Sequence, residues 1–247
     1  MNVSLYQAAA ALDTTSRWQE VISDNLASSS IPGFKKQEMS FGAVQAGLKP
    51  VAAGGSQHYA LPQAVSATNF QPGQIKATGA NTDIALEGPG FLTVQMPDGT
   101  TAYTRDGELK LNVSGQLTTK QGFPVLGEGG PIQLDLNNPA PVSIASTGEV
   151  TQGTESKGKL RAVEFDRPSL LTPTQHGHFL ANNPALHPAD STSTSFQQGF
   201  LEGSNTSPTM EMAHLISSMR LYEANQRVIQ AQDQRMARAI TELGNAS

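Results

Sequence analysis

Cysteine is absent from the 247 residues, and charge is scarce: Asp, Glu, Lys and Arg together make up 15%, against about 25% in ordinary globular chains. Without thiols there is no disulfide framework, no Cys-ligated zinc or iron–sulfur centre and no thiol nucleophile. No basic run occurs and the formal charge is −5, which argues against nucleic acid as the main partner. No apolar run approaches the ~18 residues that cross a bilayer, so membrane insertion is not expected. The first basic residue is Arg17 and no apolar core follows a basic start, so no cleavable secretion signal is read at the N-terminus. Uncharged polarity takes the place of charge: Ser, Thr, Asn and Gln number 75. So low a mean charge does not suit charge-driven disorder.

Glycine and proline are also missing, but only locally. Residues 1–31 contain neither, residues 209–243 contain neither, and all 15 Pro and 22 of the 23 Gly lie from Pro32 to Pro208. Because these residues interrupt regular structure most strongly, the pattern predicts two helical ends around a turn-rich middle. In the C-terminal stretch Leu215, Tyr222, Ile229, Met236 and Leu243 recur every seven residues. Met212, Met219 and Ile240 fall three residues ahead of Leu215, Tyr222 and Leu243, in a register that also holds Gln226 and Asp233. A heptad of this kind reads as a coiled-coil-like seam. Pro208 and Gly244 stand where start and stop signals belong. The N-terminal stretch carries a weaker seam of Leu5, Ala8, Leu12, Thr15, Ile22 and Leu26, with Gln19 in one slot.

Residues 50–75 carry no charged side chain and include Gly54-Gly55 and three prolines, Pro50, Pro62 and Pro72; they are expected to be extended or loop chain, low in regular structure. From residue 83 onward, short apolar runs alternate with turn chemistry such as Pro97-Asp98-Gly99, Asp106-Gly107 and Ser114-Gly115, the mark of an antiparallel β domain. Phe91, Tyr103, Leu109, Leu117 and Val125 are its expected core. Residues 167–195, rich in proline, read as an irregular excursion. The fold class is therefore α+β: a β-rich central domain flanked by long N- and C-terminal helices that pair as a coiled-coil-like terminal domain. The expected division is 1–35 (N-terminal helix), 36–80 (extended linker), 81–203 (β domain) and 204–247 (C-terminal helix).

No nucleophile elbow, P-loop, zinc-protease helix or EF-hand loop occurs. Gly88-Pro89-Gly90 and Gly127-Glu128-Gly129 do not complete a dinucleotide fingerprint and do not open a helix. No cofactor, metal or catalytic residue is assigned. His176 and His178 lie among prolines, with His187 further on, and read as polar loop rather than as metal ligands. Glu87, Asp98, Asp106 and Glu108 are the carboxylates a hydrolase would draw on, but they sit at turns, where solvated acids are ordinary.

Three separated blocks have a shape of their own. The first is Asn25-Leu26-Ala27 followed by Pro32-Gly33-Phe34-Lys35. The second is Asp83-Ile84-Ala85-Leu86-Glu87-Gly88-Pro89-Gly90-Phe91-Leu92, then Tyr103-Thr104-Arg105-Asp106-Gly107. The third is Gly199-Phe200-Leu201-Glu202-Gly203-Ser204-Asn205, running on to Leu221-Tyr222-Glu223-Ala224-Asn225. Together and in this order they resemble the bacterial flagellar rod and hook proteins. The run Gly122 to Ile132 looks most like the proximal-rod members, with the distal-rod members next. The resemblance implies a structural subunit of the flagellar basal body in the cell envelope, exported through the flagellar type III apparatus without a cleaved signal peptide. It further implies that the subunit polymerises through its terminal helices with copies of itself and with other axial proteins, helping to carry torque from motor to hook, and binds no small-molecule substrate.

The residues by themselves point the same way. Burying each seam Leu, Ile or Met is worth about 1.5–3 kcal/mol, and a lone helix pair leaves part of that area wet. A head-to-tail contact that does not close generates a helical tube. The expected assembly interface is Leu5, Leu12, Ile22 and Leu26 with Met212, Leu215, Met219, Tyr222, Ile229, Met236, Ile240 and Leu243. The alternative reading is a β-domain carbohydrate-active enzyme, or a stalked binding module, with helical oligomerisation ends.

Overall fold

In a computed structural model, which describes residues 3–50 and 56–244, the chain is α+β. Helix α1 runs over Val3–Ala27 and α2 over Pro208–Gly244, and the intervening chain is β-rich. Two compact units form. The first comprises residues 1–27, 37–67 and 207–247; the second comprises 28–36 and 68–206.

In the first unit α1 packs along α2 and against strand β1. Strand β1 (Gln37–Pro50) pairs with β2 (Ser56–Thr68) as a two-stranded sheet. This corrects the expectation of low regular structure across residues 50–75, of which residues 51–55 lie outside the described residues. The physical reason is that an uncharged segment can pair its backbone on an apolar support. Trp18 of α1 meets Phe41 of β1 edge-to-face, with ring centroids 5.4 Å apart, and His214 of α2 at 6.3 Å. A two-stranded sheet alone is marginal in water; here α1 supplies that support.

The seam of α2 is the sharpest pattern in this unit. From 208 to 242 the residues shielded from solvent are Glu211, Leu215, Ser218, Tyr222, Asn225, Ile229 and Gln232, and all the rest are exposed. Spacings alternate four and three, so the heptad read from Leu215, Tyr222 and Ile229 is present. Its companion row is not the apolar one expected. Two rows flank the Leu–Tyr–Ile positions, one three residues ahead and one four. The structure turns the polar row inward (Glu211, Ser218, Asn225, Gln232) and leaves Met212, Met219 and Ile240 exposed. The buried positions of α1 include small and polar residues as well, among them Ala8, Thr14 and Thr15.

The second unit holds the main core. Its largest sheet has six strands, in the spatial order Thr172–Pro173, His178–Leu180, Thr101–Thr104, Phe91–Gln95, Ala162–Phe165 and Pro188–Asp190. Every pairing in it is antiparallel. Three of these strands come from the stretch expected to be an irregular excursion. Each is only two or three residues long, and proline spacing hides such strands from any period-two reading. Phe91, Tyr103, Leu109, Leu117 and Val125 are all buried. Phe91 sits in an aromatic cluster with Phe70, Phe165 and Phe179 at centroid distances of 5.7–5.9 Å, in the range where edge-to-face pairs add to area burial.

Candidate functional site

Parts of all three sequence blocks meet in the second unit: Gly33 to Lys35, Leu86 to Phe91 with Arg105, and Glu202 to Asn205; Asn25-Leu26-Ala27 and Leu221 to Asn225 belong to the first unit. The meeting place begins at a turn. After α1 the chain passes through Ser28-Ser29-Ser30 into Pro32-Gly33, and Gly33 takes φ +66°. A Cβ there would stand 2.2 Å from the backbone carbon and oxygen of Arg105, so only glycine lets the two backbones touch. The Gly33 N–H donates to the Glu202 carbonyl at 2.7 Å, and the Asn205 N–H donates to the Phe34 carbonyl at 3.3 Å. Gly107 has the same function on the other side of Arg105: its Cβ would lie 1.7 Å from the Ile84 carbonyl oxygen.

Those contacts bring Lys35, Arg105 and Glu202 together in the interior. The Lys35 ammonium donates to Glu202 Oε1 and to the Gln71 carbonyl, the latter at 3.0 Å. Arg105 Nη1 donates to the Leu86 carbonyl at 3.2 Å and to Glu202 Oε2 at 3.4 Å, and Nη2 donates to the Gly88 carbonyl. Glu202 Oε1 also accepts the Gly73 N–H at 2.8 Å. The guanidinium lies 5.2 Å from the centroid of the Phe91 ring, over its face. The side chains of Lys35 and Glu202 are 0% and 1% exposed. Burial pulls the Lys35 ammonium and the Arg105 guanidinium below their ordinary values, and the Glu202 carboxylate beside both offsets part of that pull. One carboxylate thus serves two cations, with carbonyls and an amide compensating further, which is what makes buried charge tolerable; the Arg105 Nε–H is left buried without a hydrogen-bond partner.

Asparagines complete the closure. Asn205 Oδ1 accepts the Lys36 N–H at 2.8 Å, while Nδ2 donates to the carbonyls of Asn69 at 2.8 Å and Gln71 at 3.0 Å. One amide therefore holds the three segments of this unit that lead to residues 37, 67 and 207. In the first unit, Asn25 makes a matched pair of bonds with the backbone of Gln37: Nδ2 to the carbonyl and N–H to Oδ1, both 2.8 Å. Ser204 Oγ accepts the Thr206 N–H at 3.1 Å. Thr104 Oγ1 donates to the Gly177 carbonyl at 3.2 Å and accepts the Asp106 N–H at 3.0 Å. Tyr103 is buried, and Gly90 donates its N–H to Thr194 Oγ1 at 2.8 Å. Leu26 is half-buried and Ala27 exposed. Every polar side chain whose bonds are given in this paragraph holds backbone in place.

The expected interface residues divide. Ile22 is buried; Leu5, Leu12, Leu26, Leu215, Tyr222 and Ile229 are half-buried; Met212, Met219, Met236 and Ile240 are exposed. The side chain of Leu243 lies outside the described residues. The four carboxylates weighed for hydrolysis occupy four different settings. Glu87 accepts from Gln197 Nε2 on the surface, and Asp98 caps its own exposed turn through the Thr100 N–H. Glu108 pairs with Lys120, and Asp106 is buried. Lys35 and Glu202 stand inside the first and third motifs with no local mark of a site. The available signal was two opposite charges inside glycine- and aromatic-rich blocks of a chain that has so little charge.

Asp106 carries a pH dependence. Burial pushes its carboxyl up from 3.8 to about 6, against a smaller downward pull from the Glu108 N–H that it accepts. Between 3.8 and about 6 the folded chain keeps a proton that the unfolded chain has released, so this residue's contribution to stability falls as pH rises through that window. A displacement of that size is worth about 3 kcal/mol. Asp106→Asn keeps an acceptor for the Glu108 N–H and cannot ionise. Unfolding free energies of the two proteins are expected to diverge in favour of the Asp106→Asn variant between about pH 4 and pH 6, by up to ~3 kcal/mol, and to run parallel above. Parallel curves throughout would show that Asp106 is no drain on stability at neutral pH.

The N-terminal turn, the central strand pair and the pre-helix strand of this α+β chain close on one buried ionic cluster, and comparison with known proteins gives the class. Residues 85–152 match the family model described as the flagellar hook protein FlgE/F/G D1 domain. Residues 197–242 match that of the flagellar basal body rod FlgEFG protein C-terminal region. Among curated relatives, the flagellar basal-body rod protein FlgF of Salmonella typhimurium is 30% identical over 257 residues, covering 97% of each chain. FlgF of Caulobacter vibrioides is 31% identical over 246 residues, covering 99% of each. FlgG of Buchnera aphidicola subsp. Schizaphis graminum is 30% identical over 251 residues, covering 94% of this chain and 96% of the relative. The chain belongs to the flagellar basal-body rod protein family of FlgF and FlgG.

Proposed function

We propose that this chain is a structural subunit of the flagellar basal-body rod. It assembles through its terminal helices with copies of itself and with other rod and hook proteins, and reaches the rod through the flagellar export apparatus. The observation that carries the assembly reading is the surface of α2. Met210, Met212, Ile216, Met219, Leu221, Val228, Met236 and Ile240 are all at least 40% exposed on one helix. Apolar residues in such density on one exposed element mark an interaction surface. Within this reading α1 and α2 pair as a coiled coil, and the β1–β2 sheet belongs with them to the polymerising part. The Lys35–Glu202–Arg105 cluster and Asn205 clamp the segments that join that part to the β domain. In this reading the subunit helps to carry torque from motor to hook.

The test is genetic and biochemical. A strain lacking this chain is expected to be non-motile, and an epitope-tagged copy is expected to restore swimming and to co-purify with hook–basal bodies after detergent and alkali extraction. A deletion strain that swims normally, or a restoring copy absent from purified basal bodies, would overturn the reading.

A further inference from the structure

The exposed apolar residues of α2 do not form one stripe. At 3.6 residues per turn, Met212, Ile216 and Met219 lie on one side of the seam that faces α1. Met210, Leu221 and Val228 lie on the other side. Each group is roughly a quarter to a third of a turn from the seam. In all six, close to half or more of the side chain is open to solvent. The face opposite the seam carries Arg220, Arg227 and Arg238 among Ala213, Ala224 and Ala231, with Glu242 its acid near the far end. Two copies meeting on that face would bring arginines against arginines, which is repulsive. An isologous contact through one flank would join two copies and stop. Two unlike apolar flanks on one helix suit a different contact, in which the first flank of one copy meets the second flank of the next.

We propose that α2 is a two-sided connector: Met212, Ile216 and Met219 of one copy pack against Leu221 and Val228 of a second copy of this chain lying parallel to it. The proposal rests on the rod-subunit reading and says which surfaces meet. The register follows from the spacing. Met212 and Met219 are seven apart, as are Leu221 and Val228, so the two pairs coincide when one helix is displaced by nine residues, about 14 Å at 1.5 Å per residue. In that register Glu223, beside the first flank, falls within about one turn of Arg235, beside the second. Both are exposed in the isolated chain. A displaced, parallel, non-closing contact of this kind propagates as a helix, and it leaves the arginine face free.

The absence of cysteine makes the test direct. Met219→Cys and Val228→Cys are introduced together and separately, the variants are incorporated into basal bodies, and mild oxidation follows. The double variant is expected to give a ladder of cross-linked multimers, because each copy then carries both halves of the contact. Each single variant is expected to stay monomeric. Dimers from either single variant would mean an isologous contact and would overturn the proposal. So would incorporation of the double variant without any cross-link. Absence of the unmodified chain from basal bodies would overturn the rod reading itself, and the flank pairing with it. A second arm reverses charge: Glu223→Arg and Arg235→Glu are each expected to reduce incorporation several-fold and to restore it when combined. Failure of the combined variant to recover, with both single variants impaired, would overturn the register.

Discussion

Ile216→Asp should yield a chain that folds, is exported and never enters the rod. Ile216 is 53% exposed and lies outside the seam, so a carboxylate there stays hydrated in the free chain. Surface changes of this sort alter stability by about 0.5 kcal/mol or less. In the assembled rod the same carboxylate would be pressed between apolar side chains without a partner, at a cost of several kcal/mol for each contact. Repeated at every copy, that cost removes assembly rather than weakening it. The expected result is an unchanged thermal melt, normal amounts of secreted chain, no detectable chain in basal bodies and no swimming. Ala224→Asp, on the arginine face, serves as the comparison and should swim. Ile229→Asp is a poorer probe: Ile229 is half-buried in the seam, so its loss disturbs the chain's own helix packing as well. Normal flagella on cells carrying Ile216→Asp would exclude α2 as the polymer surface.

Glu202→Gln should strongly destabilise the second unit. It leaves Lys35 and Arg105 facing each other in the interior with no anion between them. Removing one partner of a buried ion pair costs about 3–5 kcal/mol, because the remaining charge is stranded. For a chain of this size that corresponds to a fall in melting temperature on the order of 10 °C. Lys35→Met should cost less, since Glu202 then keeps Arg105 and the Gly73 N–H. Near-ultraviolet circular dichroism of the full chain on heating measures both. Melting of Glu202→Gln within about 2 °C of the unmodified chain would mean that the cluster is wet or neutral in solution. In cells, a clamp this weakened should fail first at raised temperature, as a loss of swimming before a loss of secretion.

Much of the architecture was legible because it is written in local patterns. A helix of this length needs a stretch without Gly or Pro and a repeat near 3.5 residues, and both ends of the chain supply them. The strands from Ile84 to Thr119 are short runs closed by turns whose glycines take positive φ, among them Gly88, Gly99 and Gly115. The five aromatic and aliphatic residues placed in the core are buried for that reason. The motif glycines were legible as motif, but their purpose was not. That Gly33 must let the Arg105 backbone pass at contact distance is a fact about two residues 72 positions apart in the chain.

The sequence by itself determined the helical ends, the β-rich middle and the family, because each rests on residue type and near-neighbour spacing. Tertiary structure decided three things that no local pattern holds. It chose which of two flanking rows on α2 turns inward. Both rows lie beside Leu215, Tyr222 and Ile229, and which of them faces α1 is set by how the two helices pack, not by the apolar pattern of α2 alone. It recruited residues 37–50 and 56–68 into a two-stranded sheet and parts of the proline-rich 172–190 stretch into the central sheet, since backbone pairing across distant segments depends on what lies alongside. And it gathered Lys35, Arg105 and Glu202, separated by up to 167 positions, into one cluster. Buried charge is tolerated where neighbours supply compensating dipoles or opposite charge, and which residues become neighbours is settled by the folded chain.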